Sequence, residues 1–345
     1  MQVPSLANAL SLIPRPADSG PALSVAMSCY NSEPYTALAI ESILAQTFGD
    51  FEFLIVDDGS RDGTAETIMR YADRDKRIRP ILRENRGLVA SLNQMLTLAR
   101  APWVARMDAD DVCRPDRFAR QMAFLRKNPD HGVISCDCDD IGPDGEPVSR
   151  PPIYRPLTHE GLVANFESGP TLNHNAVIYL RSAVLAAGGY RPAFAHAEDY
   201  DLWLRLSQVT RMANLPDQLC SYRLYPGQVS NRHMIAQAYN AGVAYLCHLE
   251  RCAGRPDPMA GRDRILPMDD LDAVFGAGAA ARVRRRVVER SLYAPEALAT
   301  DGWPMLLGYA AENKRDPRLW RAPARLLAHG HPWQAGRLGA ALAFA

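Results

Sequence analysis

The chain has 345 residues, 47% of them apolar, enough for a large buried core in one domain with an appendage. Its 39 basic and 39 acidic residues cancel, which excludes the strongly basic balance of a nucleic-acid binder, so no nucleic-acid partner is expected. No stretch reaches the roughly 18 uninterrupted apolar residues that span a bilayer, and seven cysteines without a repeating framework suit reduced thiols in the cytoplasm.

Residues 1–20 carry Pro4, Pro14 and Pro16 and no basic start followed by an apolar run, so they read as a flexible extension and not as a signal peptide. Leu23–Cys29 predicts the first strand, short, apolar and preceded by Pro21. Tyr30–Pro34 then turns into a helix, with Ser32 as N-cap and Pro34 in the first turn. Ala37, Ile40, Ile43 and Leu44 recur at helical spacing and predict one buried face. Phe51–Val56 is a continuous apolar run, the mark of a strand covered on both faces, and it ends at Asp57-Asp58-Gly59-Ser60. A helix over Thr64–Tyr71, a strand over Ile78–Leu82, a loop at Asn85-Arg86-Gly87 and a helix over Leu88–Ala99 follow. The strand Trp103–Met107 runs straight into Asp108-Ala109-Asp110-Asp111. A helix from Pro115 to Lys127 and a strand over Gly132–Cys138 continue the alternation.

This order predicts an α/β domain with a mostly parallel sheet flanked by helices. Ligands of such sheets sit beyond the carboxyl ends of the strands, and Ser28–Asn31, Asp57-Asp58 and Asp108–Asp111 all fall there. Beyond Gly142, five prolines from Pro143 to Pro156 predict an irregular crossing. Order returns as a strand over Ala176–Tyr179, a short helix over Arg181–Ala187, a turn at Gly188-Gly189-Tyr190, a helix over Ala197–Ser207 and a short strand over Leu219–Arg223. From His233 onward the pattern is helical, and the segment has the size of a small domain. Its run of Arg282, Arg284, Arg285 and Arg286 reads either as a solvated helix face or as a contact to an acidic surface such as anionic lipid.

Three clusters carry chemistry. The carboxylates of Asp108, Asp110 and Asp111 repel one another unless a cation compensates; an all-oxygen set suits Mg²⁺ or Mn²⁺ with a substrate diphosphate, although a solvated turn capping the next helix has the same composition. Asp57-Asp58 reads as a turn cap or as an acceptor for a base or ribose. Glu198-Asp199 opens a predicted helix, where acidic residues are stabilised by the dipole. Adjacent carboxylates also raise each other's proton affinity, which suits a general base.

Ser24–Asn31, Ser42–Thr47, Phe53–Thr64, Asn85-Arg86-Gly87 with Asn93, Asp108–Asp111, Gly188-Gly189-Tyr190 and Glu198–Arg205 occur in one order. Together they resemble family 2 glycosyltransferases over about Leu23 to Ser230. The resemblance implies a GT-A fold over residues 21–232, a mainly helical C-terminal region over residues 233–345, and inverting transfer from a nucleotide-diphosphate sugar. Asp58 would hold the base with Ser28 beside it, and Tyr30, Asn31, Asp57 and Arg86 would complete the donor site. Asp108 would face the ribose, and Asp110 and Asp111 the Mg²⁺ or Mn²⁺. Asp199 would be the general base with Glu198 its neighbour, and His174 and Trp203 would stand toward the acceptor, although each also fits a structural role. Arg86 and Arg106 are candidate diphosphate partners, Arg106 equally a buried ion-pair member. The implied acceptor is a saccharide or lipid-linked saccharide of surface-polysaccharide synthesis. The helical region would dock on the inner face of the plasma membrane, bind acceptor or form a homodimer. One position departs from the pattern: in Tyr222–Ser230, Tyr225 stands where many relatives have His, which leaves an inactive nucleotide-sugar-binding subunit as the alternative. A nucleotidyltransferase or a dehydrogenase would need a Gly-rich loop after the first strand, and Tyr30-Asn31-Ser32-Glu33 supplies none.

Overall fold

The computed structural model describes residues 20–151, 153–225, 227–228 and 232–343. The extension expected over residues 1–20 lies outside the described residues but for Gly20, as does part of the segment after Tyr225. Two compact units divide the chain: one reaches Pro192 and resumes over Glu198–Pro226, and the other takes Ala193–Ala197 and everything from Gly227.

The first unit is built on β1 (Leu23–Cys29), β2 (Phe51–Asp57), β3 (Ile78–Leu82), β4 (Trp103–Asp108), β5 (Val112–Cys113), β6 (His131–Ile141), β7 (Ile178–Leu180) and β8 (Arg211–Arg223). They form one sheet in the order β3-β2-β1-β4-β7-β6-β8-β5. Strands β1 to β4 are mutually parallel; β7 runs antiparallel between β4 and β6, β8 lies parallel to β6, and β5 is antiparallel to β8. The mostly parallel sheet is thus present, with a mixed second half. All seven residues of β2 are buried, as its unbroken apolar run required.

Helices α1 (Glu33–Leu44), α2 (Thr64–Arg74), α3 (Leu88–Leu98), α4 (Arg117–Lys127), α5 (His159–Ala164), α6 (Arg181–Ala186) and α7 (Glu198–Leu206) flank this sheet. Ser32 occupies the N-cap of α1, but its hydroxyl meets Thr36 Oγ1 at 2.9 Å and makes no capping bond. The buried face of α1 is Thr36, Ala39, Ile40 and Ile43; Ala37 and Leu44 are only half-buried. One core runs from Leu23, Val25 and Met27 through Phe53, Ile55 and Met107 to Phe118 and Met122.

Two elements exceed their expected lengths for the same reason. β6 continues past Cys138 to Ile141 and β8 starts eight residues before Leu219, at Arg211. Both carry polar residues at the register shifts between Cys136 and Cys138, opposite the Pro216-Asp217-Gln218 stretch. A bulged, polar pair of strands lacks the period-two signal that marks a strand in sequence. The strand expected from Ala176 begins only at Ile178, after a 3₁₀ turn over His174–Ala176.

The second unit is helical: α8 (Met234–Cys252), α9 (Leu271–Phe275), α10 (Ala279–Ser291), α11 (Pro295–Ala299), α12 (Trp303–Glu312), α13 (Ala322–Ala328) and α14 (Pro332–Ala343). Its own core joins Val288, Leu292, Leu306, Leu319, Leu326, Leu338 and Leu342. Much of the arginine run is used internally. Arg284 pairs with Glu312, Arg285 with Glu289 at 2.9 Å, and Arg282 lies 5.2 Å over the Tyr245 ring. Among the described residues no helix is long and apolar enough to cross a membrane. All seven cysteines are free thiols.

Candidate active site

Parallel pairing sets Ser28, Asp57 and Asp108 at the carboxyl ends of β1, β2 and β4, Ser28 in register with both Val56 and Asp108. From Asp108 the chain turns through Ala109 and Asp110 and enters β5, which pairs with β8 at Val112↔Ser221. The acidic motif is therefore the joint between the parallel half of the sheet and the mixed half.

Each of its carboxylates has different surroundings. Asp108 pairs with the buried guanidinium of Arg106, so Arg106 is the ion-pair member of the two readings left open for it. Asp110 accepts a hydrogen bond from the Tyr225 hydroxyl at 2.9 Å, and burial together with the charge of Asp108 pushes it up to about 6. Asp111 is fully buried; it accepts from Asn175 Nδ2 at 2.5 Å and from the Arg223 backbone N–H at 2.8 Å. The Arg223 side chain donates to the Asp110 carbonyl at 2.7 Å and lies 4.6 Å over the Tyr35 ring, which itself packs 5.4 Å from Tyr225.

One carboxylate oxygen from each of Asp108, Asp110 and Asp111 falls within 4.8 Å of the others. The raised proton affinity of Asp110 is the sign of excess negative charge in a dry place, which a hard divalent cation would relieve. The donor set fits Mg²⁺ or Mn²⁺. Asp108 is bonded to Arg106 and Asp110 to Tyr225, while Asp111 is bonded through both oxygens to Asn175 and the Arg223 N–H.

The two carboxylates of the Asp57-Asp58 pair differ in how far the protein itself occupies them. Asp58 accepts from Arg83 Nε at 2.9 Å, from the Arg86 N–H at 3.0 Å and from the Gly87 N–H at 2.7 Å, so its carboxylate organises the loop after β3. Gly59 is needed there: its φ is +79°, and a Cβ would come within 2.7 Å of the Asn85 nitrogen. Asp57 accepts from the Ser60 N–H at 3.3 Å through Oδ2, while its buried Oδ1 has no hydrogen-bond partner. Asn31 holds the same rim. It takes φ +48°, accepts from the Arg61 N–H at 2.8 Å and donates to Ser60 Oγ at 3.0 Å. Tyr30 and Arg86 are exposed beside it.

Asp199 and Glu198 open α7. Asp199 Oδ1 accepts from the Tyr200 N–H at 2.7 Å, and burial raises its carboxyl above the usual range. Glu198 is pushed up to about 7 by burial and by the charge of Asp199. The helix is fixed from behind by Asp201, clamped between Arg191 and Arg205, and Arg205 donates onward to the Gly189 carbonyl at 2.7 Å. Asn93 on α3 ties in the same turn through both bonds to the Tyr190 backbone, 2.8 and 2.9 Å.

A cavity of about 490 Å³ is lined by Arg106, Asp108, His174, Asn175, Asp199 and Tyr222 among others; Asp57, Asp58, Asp110, Asp111 and Glu198 are not among its lining residues. His174 contacts the Tyr190 hydroxyl at 3.0 Å, and burial and Arg106 lower its pKa well below the ordinary value, so it is a neutral hydrogen-bonding group. The expectation for Trp203 needs correction. It is 0% exposed and packs edge-on behind His174 at 5.9 Å, with no surface to offer an acceptor. The sequence reading passed over Asn175, Arg223, Tyr35 and Arg83. Arg223 lies within Tyr222–Ser230, but nothing local marks its backbone N–H as the partner of a carboxylate 112 positions earlier.

The glycosyl transferase family 2 model matches residues 24–185. A glycosyltransferase of Haemophilus influenzae, otherwise uncharacterized, is 35% identical over 221 residues, 62% of this chain and 80% of its own. The putative glycosyltransferase EpsE of Bacillus subtilis is 34% identical, over 66% of this chain and 82% of its own, and the amylovoran biosynthesis glycosyltransferase AmsE of Erwinia amylovora 32%, over 61% and 79%. Among solved structures, the mannosyltransferase PcManGT of Pyrobaculum calidifontis, in complex with GDP-Man and Mn²⁺, superposes with a TM-score of 0.52 at 19% identity, over 96% of this chain and 92% of its own. S. aureus TarS 1-349 gives 0.55 at 17%, over 92% and 86%. These two share the GT-A fold with this chain, and the sequence relatives carry the family assignment: the chain belongs to family 2 of the glycosyltransferases.

Proposed function

We propose that this glycosyltransferase moves a sugar, with inversion, from a nucleotide-diphosphate donor to a hydroxyl of a saccharide or lipid-linked saccharide in surface-polysaccharide synthesis. The observation that carries the reading is the single cavity onto which Asp108 and Asp199 both open. The amylovoran role of AmsE and the O-antigen role of WbnJ in Escherichia coli support the pathway class. The donor class is supported by the GDP-Man complex and by the UDP-GlcNAc complex of TarS.

Asp199 is the base in this reading. The acceptor oxygen bonds to the anomeric carbon, its proton passes to Asp199, and the sugar–phosphate bond breaks with its electron pair leaving on the diphosphate. The anchored Oδ1 leaves Oδ2 for the proton, and a raised proton affinity brings the base closer to neutral pH. His174, held neutral, donates or accepts a hydrogen bond with an acceptor hydroxyl. Asp57 offers its unpartnered Oδ1 to the nucleotide base, and Asp58 shapes the loop that carries Arg86 to the diphosphate. A bound Mg²⁺ or Mn²⁺, held by Asp108 and Asp110, would stabilise negative charge on the leaving diphosphate.

Calorimetric titration of UDP, GDP and dTDP with and without Mn²⁺, followed by transfer assays, tests this. One nucleotide should bind only with the ion. Asp199→Asn should retain that binding and lose about 10²–10⁴-fold in transfer. Metal-dependent nucleotide binding by a wild-type protein that neither transfers nor hydrolyses any donor would instead establish a binding subunit.

A further inference from the structure

From Pro317 to Ala345 the sequence holds four arginines, two histidines and no acidic residue. In the same stretch Trp320 is 52% exposed, Leu327 61% and Trp333 60%. Single exposed apolar residues are ordinary, but several large ones in a segment free of anions are not. The arrangement on α14 is regular. Ala335, Leu338 and Leu342 are buried, while Trp333, Gly336, Arg337, Ala340 and Ala343 are exposed at helical spacing. The outer face therefore carries one tryptophan, small residues and one cation. Arg337 lies 5.2 Å over the Trp333 ring, and Arg325 lies 4.2 Å over Tyr293, itself 70% exposed. Among the described residues neither Arg321 nor Arg337 meets a carboxylate, unlike Arg318, which pairs with Asp316 at 2.7 Å.

We propose that α13, α14 and the preceding Trp320-Arg321 turn dock on an anionic phospholipid surface. Tryptophan is suited to the headgroup layer, where its ring is apolar and its N–H is wet. Arginines beside it keep their charge in water while their stems cover apolar surface. Each arginine near an anionic leaflet contributes about 1 kcal/mol. Charge complementarity selects this occupant: the charged side chains of the stretch are all cations, its exposed large apolar positions are Trp320, Leu327 and Trp333, and the neighbouring Glu296 is bonded to His331 at 3.2 Å. A lipid-linked acceptor would be displayed at such a surface, yet lipid binding is independent of the transfer chemistry and is read without it.

The test is co-sedimentation of the full chain with vesicles of phosphatidylcholine alone and of phosphatidylcholine mixed with phosphatidylglycerol. Binding should require the anionic lipid and weaken at high salt. The pairs Trp320→Ser with Trp333→Ser, and Arg321→Glu with Arg337→Glu, should each lower partitioning about tenfold or more, with thermal unfolding and nucleotide binding unchanged. No binding, equal binding to both vesicles, or variants that partition like the parent would each overturn the proposal. So would a concentration-dependent dimer that the same variants disperse without any lipid binding, since a second copy of the chain would then own the face.

Discussion

Tyr225 fills the position at which the sequence departs from its relatives, and its hydroxyl donates to Asp110. A phenol cannot replace an imidazole as a ligand of equal strength, but it can hold the carboxylate in place. Tyr225→Phe removes that one bond and should raise the Mn²⁺ concentration needed for half-saturation of nucleotide binding several-fold, with little change in unfolding temperature. Glu198 has a testable signature of another kind. Its ordinary value is 4.5, and in the folded chain it is pushed up to about 7. Between those values the folded state keeps a proton that the unfolded chain has released, so the contribution of Glu198 to stability falls as pH rises through that window. Glu198→Gln should therefore be more stable than the parent by about 1–3 kcal/mol at about pH 8, and the two should converge at about pH 4. Thermal unfolding at both values reads the difference.

At the scale of elements, the strand-end joint separates two jobs within one acidic motif. Asp111 is buried and bonded to β8 and to Asn175, so Asp111→Ala strands the Arg223 N–H and the Asn175 amide and should cost about 2–4 kcal/mol of stability. Asp110→Ala should leave unfolding nearly unchanged and abolish metal-dependent nucleotide binding. If both variants lost stability equally, Asp110 would be structural as well. Trp203→Ala should cost about 3–5 kcal/mol, the price of a large cavity behind His174. Short apolar runs made the four parallel strands legible, with β1 and β3 matched residue for residue. The placement of the carboxylates at their ends was legible because an apolar run stops where its strand leaves the core. The burial of Trp203 and the loop partners of Asp58 were not. Whether a helix face or a carboxylate oxygen points at substrate or at the protein depends on neighbours such as His174 or Gly87, far away in sequence.

For the whole molecule, the first unit holds every residue of the proposed chemistry, and the second contributes its own core and the acid-free stretch from Pro317. The second half of the first unit was the least legible because β6 and β8 are bulged against each other. That irregularity has a consequence for how the ion cradle is built. β8 reaches Arg223, whose N–H meets Asp111, and two residues later Tyr225 meets Asp110. Backbone N–H groups and side chains both alternate in direction along a strand, so a change of one residue in length upstream would put a different N–H opposite Asp111. The phase of the cradle is thus written in the Pro216-Asp217-Gln218 stretch, remote from any carboxylate it serves. Deleting a single residue there would present the opposite side chains to the motif, whereas a two-residue change preserves parity. Strand length alone would thus move the groups that meet Asp110 and Asp111, with every acidic residue left untouched.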